Sequence, residues 1–217
     1  MVKPYYDHAG IQIWHGDCRE ILPGLPLVDL VLTDPPYGAG KDFANDTETP
    51  IDLLKTVFDL CYAITPDDSF LMHDWARQRI LSIDLFRGKW DFLDLLAVTQ
   101  ENTMSFCRVG YDVFQIKCLY GKGNPKVVRR GWNLYKTARV ANQEKFIHPT
   151  MKQVNVYKMQ VRQFSKEFGL ILDPFLGSGT TLVAAKQLGR RGIGIEIEEK
   201  YCEIAVKRLA QEILPFE

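Results

Sequence analysis

The feature that most constrains the fold is a short apolar run that ends in an acid and two prolines. Residues 28–33 (Val-Asp-Leu-Val-Leu-Thr) have the length and the β-branched content of a strand, and Asp34-Pro35-Pro36-Tyr37-Gly38 follows directly. Proline has no backbone N–H to donate, so a strand cannot extend through this sequence. The pattern predicts a stiff loop at the carboxyl edge of a sheet, where open α/β sheets bind ligands. An ordinary strand-exit turn with a surface tyrosine is the alternative.

The segment before this loop has the pattern of a β-α-β unit. Residues 11–16 alternate in polarity as a half-buried strand does, and Asp17 is placed to cap a short helix over 18–22 that Pro23-Gly24 closes. A helix between two strands is the unit from which parallel sheets are built.

The remaining chain continues this alternation. Helices are predicted at 51–65, 75–86, 151–168, 182–188 and 199–214, and strands at 69–73, 92–98, 111–120, 170–172 and 192–195. The strands at 92–98 and 111–120 are close enough in sequence to pair as an antiparallel edge. We therefore expect an α/β fold, with a single doubly wound, mostly parallel sheet in one domain over residues 1–217.

Cysteine and histidine usage argues against metal and disulfide chemistry. The five cysteines are scattered without a Cys-x-x-Cys pair, and the four histidines lack metal-ligand spacing. The amino terminus has no apolar signal region, and no apolar run reaches the length that spans a membrane. We expect a soluble cytoplasmic protein with reduced thiols, no metal and no membrane partner.

Charge is distributed unevenly although the whole chain is neutral. Nine basic residues and one acid lie between Lys117 and Lys152, giving this stretch +8 and the rest of the chain −8. The part at 121–147 has few periodic apolar positions and is predicted to be an irregular basic insertion. Such asymmetry indicates contact with a polyanion, and a solvated charged loop is the alternative.

A second loop has the glycine pattern of a ligand site. Asp173-Pro174-Phe175-Leu176-Gly177-Ser178-Gly179-Thr180-Thr181 follows the strand at 170–172. The third glycine of a dinucleotide site is replaced by Leu182, and a phosphate loop's Gly-Lys-Ser/Thr is absent. Glu196 ends the next strand, where an acid can hold the two hydroxyls of a ribose. These features indicate a nucleoside ligand without phosphates, a description that fits S-adenosylmethionine. A plain glycine turn beside an exposed acid is the alternative.

Three motifs together resemble the DNA amino-methyltransferases, which methylate the exocyclic amine of adenine or cytosine. They are Asp34-Pro35-Pro36-Tyr37, Asp173 to Thr181, and His148-Pro149-Thr150-x-Lys152. Because the Asp-Pro-Pro-Tyr motif precedes the cofactor loop, the order resembles the circularly permuted class called beta. The resemblance extends from Gly16-Asp17 to the last helix. Gln153 departs from it, since family members usually have proline there.

The resemblance implies S-adenosylmethionine as cofactor and a role for each motif. Tyr37 would stack on a base flipped out of the duplex, while the Asp34 carboxylate and the Pro35 carbonyl accept the hydrogens of its amine. The implied catalytic set is Asp34, Pro35, Pro36 and Tyr37. The implied cofactor set is Asp17 (toward the adenine amine), Asp34, Thr150, Asp173, Phe175, Gly177, Ser178, Gly179, Thr180, Thr181, Glu196 and Ile197. For Thr180 and Thr181, a plain helix-capping role is an equal alternative.

Double-stranded DNA is the partner that the resemblance implies. Trp132 and Tyr135 of the basic insertion are available to stack or wedge. The predicted DNA contacts are Lys41 and Asn45 in the 39–50 loop, and Lys122, Lys126, Arg129, Arg130, Lys136 and Arg139 in the insertion. That loop can equally be a lid. A homodimer, a cognate restriction nuclease and a bacterial or phage origin stay open.

The residue at the first motif position favours adenine-N6 as the target, because cytosine-N4 enzymes of this type more often carry serine there. Cytosine-N4 transfer is the alternative within the class. An RNA or protein N-methyltransferase is a further candidate that the motif order disfavours. A non-catalytic nucleic-acid-binding module is disfavoured by intact Asp34, Tyr37, Gly177 and Glu196.

Overall fold

The computed structural model describes residues 3–36, 50–75, 89–100, 105–107, 110–112, 114–131, 133–137 and 152–211. The strands are β1 (Tyr6–His8), β2 (Ile11–His15), β3 (Leu30–Thr33), β4 (Ser69–Trp75), β5 (Asp91–Gln100), β6 (Ser105–Cys107), β7 (Gly110–Asp112), β8 (Phe114–Lys122), β9 (Leu134–Thr137), β10 (Leu170–Asp173) and β11 (Arg191–Glu196). The helices are α1 (Cys18–Ile21), α2 (Pro50–Ala63), α3 (Val154–Phe164), α4 (Thr180–Gln187) and α5 (Glu199–Ala210), with a 3-10 helix at Leu22–Gly24.

The main sheet is mostly parallel. Its order is β1-β2-β11-β10-β3-β4-β8-β5-β9, and β6 and β7 form a separate antiparallel pair. In the order of the sheet, the five strands β2, β11, β10, β3 and β4 run parallel to one another. Strand β8 lies antiparallel between β4 and β5, and β1 lies antiparallel to β2. The predicted α/β class and the antiparallel pairing of β5 with β8 are confirmed.

The strand order reverses between β3 and β10, which lie side by side. From β3 the sheet continues to β4, whereas from β10 it continues to β11 in the opposite direction. In open α/β sheets, a crevice forms outside the carboxyl ends of the strands at such a switch point. The fold therefore brings the loops after β3 and β10 to one crevice.

Helices cover both faces of the sheet, which explains why its central strands are buried throughout. Side chains of α3, α4 and α5 pack on one face, and those of α1 and α2 pack on the other. Every residue of β3 and β10 is buried, as expected of parallel strands covered on both sides. Within the described part of the chain, the helices are too short or too polar to cross a bilayer.

Several predicted elements differ in extent from those observed. Trp75 belongs to β4 instead of a helix, and residues 76–86 of that predicted helix lie outside the described residues. The helix predicted at 151–168 is limited to α3, and Gln153 before it is extended, with φ −79° and ψ 122°. The strand predicted at 111–120 is divided between β7 and β8, and β1 was not predicted.

The prediction of an irregular insertion at 121–147 is wrong for its middle. Residues Leu134–Thr137 form β9, which pairs parallel with β5 and becomes the edge of the sheet. A four-residue strand with two polar positions carries too little apolar periodicity to be recognised from sequence. Residues 138–147 lie outside the described residues.

Candidate active site

Four acids lie along the carboxyl edge of four neighbouring strands. Asp173 closes β10, Glu196 closes β11, Asp34 directly follows β3, and Asp74 is the penultimate residue of β4. Because these strands are adjacent and parallel, their carboxyl ends meet at the switch point of the sheet. The predicted grouping of Asp34, Asp173 and Glu196 is thus observed, and Asp74 is an addition that the sequence analysis missed.

Asp173 is a buried carboxylate held by neutral donors. Thr33 Oγ1 donates to its Oδ1 at 2.7 Å, Thr181 Oγ1 donates to its Oδ2 at 2.6 Å, and the Phe175 N–H donates to Oδ1 at 3.1 Å. Burial raises the pKa of Asp173 to about 6 despite these hydrogen bonds, which favour the charged form. Both oxygens of Asp173 therefore fasten the second loop to β3 and α4.

Two glycines let the loop turn tightly against the closing helix. Gly177 has φ +53° and Gly179 has φ +83°, a region where other residues are strained. A Cβ at Gly179 would lie 2.8 Å from Ala205 Cβ of α5, closer than such atoms approach. The loop is also joined to β11, since the Leu176 N–H donates to the Ile195 carbonyl at 2.9 Å.

The hydroxyl groups of the loop point into the protein. Ser178, Thr180 and Thr181 are each at most 5% exposed. Arg208 Nη1 donates to the Ser178 carbonyl at 2.6 Å, to Ser178 Oγ at 3.0 Å and to Thr180 Oγ1 at 3.1 Å. These contacts fix the start of α4 against α5. The capping alternative for Thr180 and Thr181 is wrong, because Gly179 is the N-cap of α4 and no side chain caps this helix.

Glu196 fastens the other side of the crevice. Its Oε2 accepts the Gly177 N–H at 2.7 Å, and its Oε1 accepts the Glu198 N–H at 2.9 Å. Burial raises the pKa of Glu196, while these two backbone donors act in the opposite direction. The carboxylate predicted to meet a ribose therefore also ties the glycine loop to the end of β11.

Asp17 lies beside Glu196, because the Gly16 N–H donates to the Glu196 carbonyl at 2.9 Å. It caps α1 as predicted, accepting the Arg19 N–H at 2.8 Å, and pairs with Arg19 Nη2 at 2.6 Å. Hydrogen bonding to the Arg19 side chain is the main reason that the pKa of Asp17 is lowered.

Phe175 and Ile197 flank the same crevice. Both side chains are half-buried, and Phe175 packs against the core cluster beneath α1 and α2. The Ile197 carbonyl lies 3.1 Å from His15 Nε2.

Of the four acids at the carboxyl edge of the sheet, Asp34 is the most exposed. Its side chain is 20% exposed, and its Oδ2 lies 3.1 Å from Lys152 Nζ. Pro35 is buried and Pro36 is half-buried, so the chain leaves the sheet in a confined path. The predicted residues Tyr37, Lys41, Asn45, Arg139 and Thr150 lie outside the described residues, as do Trp132 and most of the 39–50 loop.

A buried charge cluster stands behind Asp34. Lys117 Nζ lies 2.8 Å from Asp74 Oδ1, and their side chains are only 2% and 3% exposed. Lys152 Nζ lies 3.5 Å from Asp74 Oδ2, and Tyr157 OH donates to the same oxygen at 3.2 Å. Lys117 Nζ also lies 4.3 Å from the centroid of the Tyr157 ring. Strands β4 and β8 and the segment that leads into α3 thus meet at this cluster.

The cluster fixes the charge of its members. Burial alone would raise the pKa of Asp74, but the ammonium groups of Lys117 and Lys152 hold it well below its usual range. Burial alone would lower the pKa of Lys152, but the Asp34 and Asp74 carboxylates hold it above its usual range. Next to them, burial lowers the pKa of His73 to about 4. The sequence signal that could have revealed this cluster was Lys117, a lysine inside the apolar run 114–120.

Lys122 was predicted to contact DNA, but its side chain is bound to carbonyl groups within the protein. Its Nζ donates to the Tyr62 carbonyl at 2.9 Å and to the Thr65 carbonyl at 2.6 Å, so it caps the end of α2. It pairs with Ser69 at the amino end of β4. At roughly 3.3 Å per residue, this is about 20 Å from the carboxyl end of that strand.

Three other described basic residues of the insertion lie in the segment that connects β8 to β9. Lys126, Arg129 and Arg130 are exposed, and the Arg129 N–H donates to the Gln163 carbonyl near the end of α3. Tyr135 is 4% exposed and donates to Gln163 Oε1 at 2.7 Å, so its predicted availability for stacking is wrong. Lys136 lies in β9, which runs toward the carboxyl edge.

No group of three or more histidine, cysteine, aspartate or glutamate side chains in the described ranges is arranged to hold a metal ion.

Comparison with known proteins agrees with this arrangement. The N6/N4 methyltransferase family, described as DNA methylase, matches residues 28–207. The protein YubD of Escherichia coli strain K12 is 31% identical over an alignment of 216 positions, which covers 90% of this chain and 88% of YubD.

Two solved structures share the fold. The complex of M1.HpyAVI with SAM has a TM-score of 0.75 at 24% identity, covering 93% of this chain and 100% of that one. The cytosine-N4-specific PvuII DNA methyltransferase has a TM-score of 0.80 at 16% identity, covering 98% and 90%. The predicted methyltransferase fold is thereby confirmed.

Proposed function

The chain belongs to the N6/N4 DNA methylase family, and we propose that it transfers a methyl group from S-adenosylmethionine to the N6 amine of adenine in duplex DNA. The observation that carries this proposal is the position of Asp34. Its partly exposed carboxylate stands at the switch point beside the glycine loop, so an acceptor for amine hydrogens adjoins a site suited to a nucleoside.

The residues of the crevice fit S-adenosylmethionine. Two acids, Asp17 at the start of α1 and Glu196 at the end of β11, suit hydroxyl and amine hydrogens and would repel phosphates. Gly177 and Gly179 keep the loop backbone open to close approach, and Phe175 and Ile197 supply apolar contact. Asp173, Ser178, Thr180 and Thr181 support the loop from within, since their polar atoms are engaged in the protein. Thr150 remains a predicted contact.

S-adenosylmethionine supplies an electrophilic methyl group on its sulfonium sulfur. The Asp34 carboxylate and the Pro35 carbonyl accept the two hydrogens of the target amine, which directs the nitrogen lone pair toward that methyl carbon. Bound S-adenosylmethionine would supply the carbon of the new N–C bond, and its sulfur would keep the electron pair of the broken S–C bond. The methylated nitrogen then releases one proton to Asp34 or to water. Tyr37 is predicted to stack on the flipped base.

Aspartate at position 34 supports adenine-N6 over cytosine-N4. Cytosine-N4 transfer is the second candidate, supported by the fold likeness to the cytosine-N4-specific PvuII enzyme. Adenine N6 and cytosine N4 are both exocyclic amines beside a ring nitrogen, so one arrangement of acceptors serves either base.

Duplex DNA is the proposed partner, and it would approach the carboxyl edge. The predicted contacts at this edge are Lys136 in β9, Lys41, Asn45 and Arg139. Lys126, Arg129 and Arg130 are exposed and also remain predicted contacts, whereas Lys122 is engaged at α2. A bacterial or phage-encoded enzyme acting in the cytoplasm agrees with the Escherichia coli relative, and a homodimer or a nuclease partner remains a prediction.

Product identification tests the proposal. The purified chain is incubated with unmethylated duplex DNA and S-adenosylmethionine, and the DNA is digested to nucleosides for mass spectrometry. We expect N6-methyladenine, with no product from RNA or protein and much less product from the Asp34→Ala variant. The exposed Asp91→Ala variant is the matched control. N4-methylcytosine as the product would support the second candidate. Absence of methylated DNA together with absence of S-adenosylmethionine binding by calorimetry would refute the proposed function.

A further inference from the structure

We propose that Lys117 and Asp74 are positioning residues that hold Lys152 against Asp34 and thereby set the place and the charge of the acceptor. The proposal rests on the proposed function, because it concerns the same acceptor. Of these three supporting residues, only Lys152 belongs to a motif that carries the family resemblance. Asp74 and Lys117 lie outside those motifs.

Two carboxylates meet where β3 and β4 end. The register pairs Thr33 with His73, so Asp34 and Asp74 are the next residues on neighbouring parallel strands. Two negative charges on adjacent residues of neighbouring strands repel each other, and this opposes ionisation of both groups. An ionised Asp34 at this point therefore requires nearby cations.

Lys152 is shared between the two acids. Its Nζ lies 3.1 Å from Asp34 Oδ2 and 3.5 Å from Asp74 Oδ2. With one ammonium and two carboxylates, the local charge would remain negative, and Lys152 would be drawn toward the more buried acid. A second cation at Asp74 removes that pull.

Lys117 is the second cation. It approaches Asp74 from β8 at 2.8 Å, on the opposite oxygen from Lys152, and lies over the Tyr157 ring. Tyr157 in turn donates to Asp74 from α3. Lys117, Asp74, Lys152 and Asp34 thus alternate in charge and sum to zero. With Lys117 in place, the charge of Asp74 is balanced from β8 and Lys152 stays within reach of Asp34.

The cluster is nearly dry, so its charges interact strongly. The Lys117 and Asp74 side chains are 2% and 3% exposed, while Lys152 is 15% exposed. Charges in such an environment are screened much less than those at a surface. The titratable groups among the described residues that face Asp34 and Asp74 are Lys117, Lys152, Tyr157, His73 and Asp173.

Lys117→Met tests the proposal, because it keeps the length of the side chain and removes its charge. We expect the single-turnover methyl-transfer rate to fall about 10- to 100-fold, as displacement of a reacting group by about 1 Å can cause. We also expect the acid limb of its pH profile to move upward by about 1 unit, since Asp34 loses its cation to Asp74. Lys117→Arg keeps the positive charge, so its rate and its acid limb should both lie near those of the wild type.

The double variant Asp74→Asn/Lys117→Met separates positioning from folding. It removes both buried charges and leaves Lys152 to Asp34, so we expect a faster rate than in Lys117→Met and an acid limb near that of the wild type. Lys89→Met, which removes one partner of an exposed ion pair, is the control and should change neither quantity.

An unchanged rate and pH profile in Lys117→Met would overturn the proposal while leaving the proposed function intact. If Lys117→Met does not fold, a double variant that folds but shows the lower rate and the raised acid limb predicted for Lys117→Met would also overturn it. A wild-type chain without methyl transfer would instead refute the proposed function.

Discussion

Two aspartates at the same edge of the sheet are buried alike and behave in opposite ways. Asp173 and Asp74 are 3% and 4% exposed. Asp173 is held by two hydroxyls and a backbone N–H, and burial raises its pKa to about 6. Asp74 is held by two ammonium groups, and its pKa lies well below its usual range although burial opposes this. The partners, and not the degree of burial, decide the charge of each group.

The difference corresponds to the two halves of the proposed reaction. On the cofactor side, the loop only has to keep its shape, and neutral hydrogen bonds are sufficient for that. On the acceptor side, Asp34 has to remain ionised beside another carboxylate, and this requires buried cations. We therefore expect charge changes to be tolerated at Asp173 and to be costly at Asp74.

The largest contrast should come from replacing each aspartate by asparagine. Asp74→Asn leaves Lys117 buried without a carboxylate and should lower the free energy of unfolding by about 3–5 kcal/mol. Asp173→Asn weakens hydrogen bonds but removes no ionic partner, and at neutral pH it should cost about 1–2 kcal/mol or less. Urea unfolding at pH 7 measures both. Equal losses would show that the partners of the two acids do not differ in effect.

The pH dependence of stability sharpens the contrast. Folding raises the pKa of Asp173 from 3.8 to about 6, so its favourable contribution is full below the lower value and is lost as pH rises through the upper one. From pH 7 to pH 4, the wild type should therefore gain up to about 3 kcal/mol relative to Asp173→Asn. His73, whose pKa is lowered to about 4, acts in the opposite direction, but it does so equally in both proteins. A constant difference between the two unfolding curves would contradict the prediction.

A glycine pair tests whether the cofactor loop depends on close packing. Gly179→Ala should cost about 2–3 kcal/mol, because it combines a positive φ with overpacking against Ala205. Gly189→Ala has a positive φ of +69° but nothing within 4 Å of the added Cβ, so it should cost only about 1 kcal/mol. Calorimetry should report weaker S-adenosylmethionine binding for Gly179→Ala alone. Restoration by Ala205→Gly would confirm the packing cause, and equal affinities of the two single variants would argue against it.

The smallest effect is expected at Lys122, far from both aspartates. Lys122→Ala should destabilise the chain by about 1 kcal/mol, because two carbonyls at the end of α2 lose their donor. The slope of log affinity for DNA against log salt should stay unchanged, whereas loss of a phosphate contact would reduce it by about 1. Lys126→Ala is the exposed comparison. A reduced slope for Lys122→Ala would restore the predicted DNA contact.

The cofactor side was accessible from sequence because its determinants are local. Gly177 and Gly179 lie within the same nine-residue loop as Asp173, and the Asp17 cap is formed with Arg19 two residues later. The strand-to-glycine pattern therefore predicted both the turn and its position at the carboxyl edge.

The acceptor side was only partly accessible, because its support comes from distant segments. Lys117 reaches Asp74 only through the pairing of β4 with β8, and no spacing along the chain encodes that pairing. Charge density likewise identified the basic insertion but could not say at which end of the sheet Lys122 and Arg129 lie. Short polar strands such as β9 were missed for lack of apolar periodicity.

Asp34→Ala, assayed for cofactor binding and methyl transfer in one preparation, separates the two halves of the proposed reaction. Asp34 is proposed to act on the target amine, and the glycine loop is proposed to hold the cofactor. We therefore expect the S-adenosylmethionine affinity to stay within about threefold of the wild type, since the loop contacts remain. We expect the single-turnover rate on duplex DNA to be lower by about 10²- to 10³-fold. An unchanged rate would contradict the role of Asp34 as acceptor.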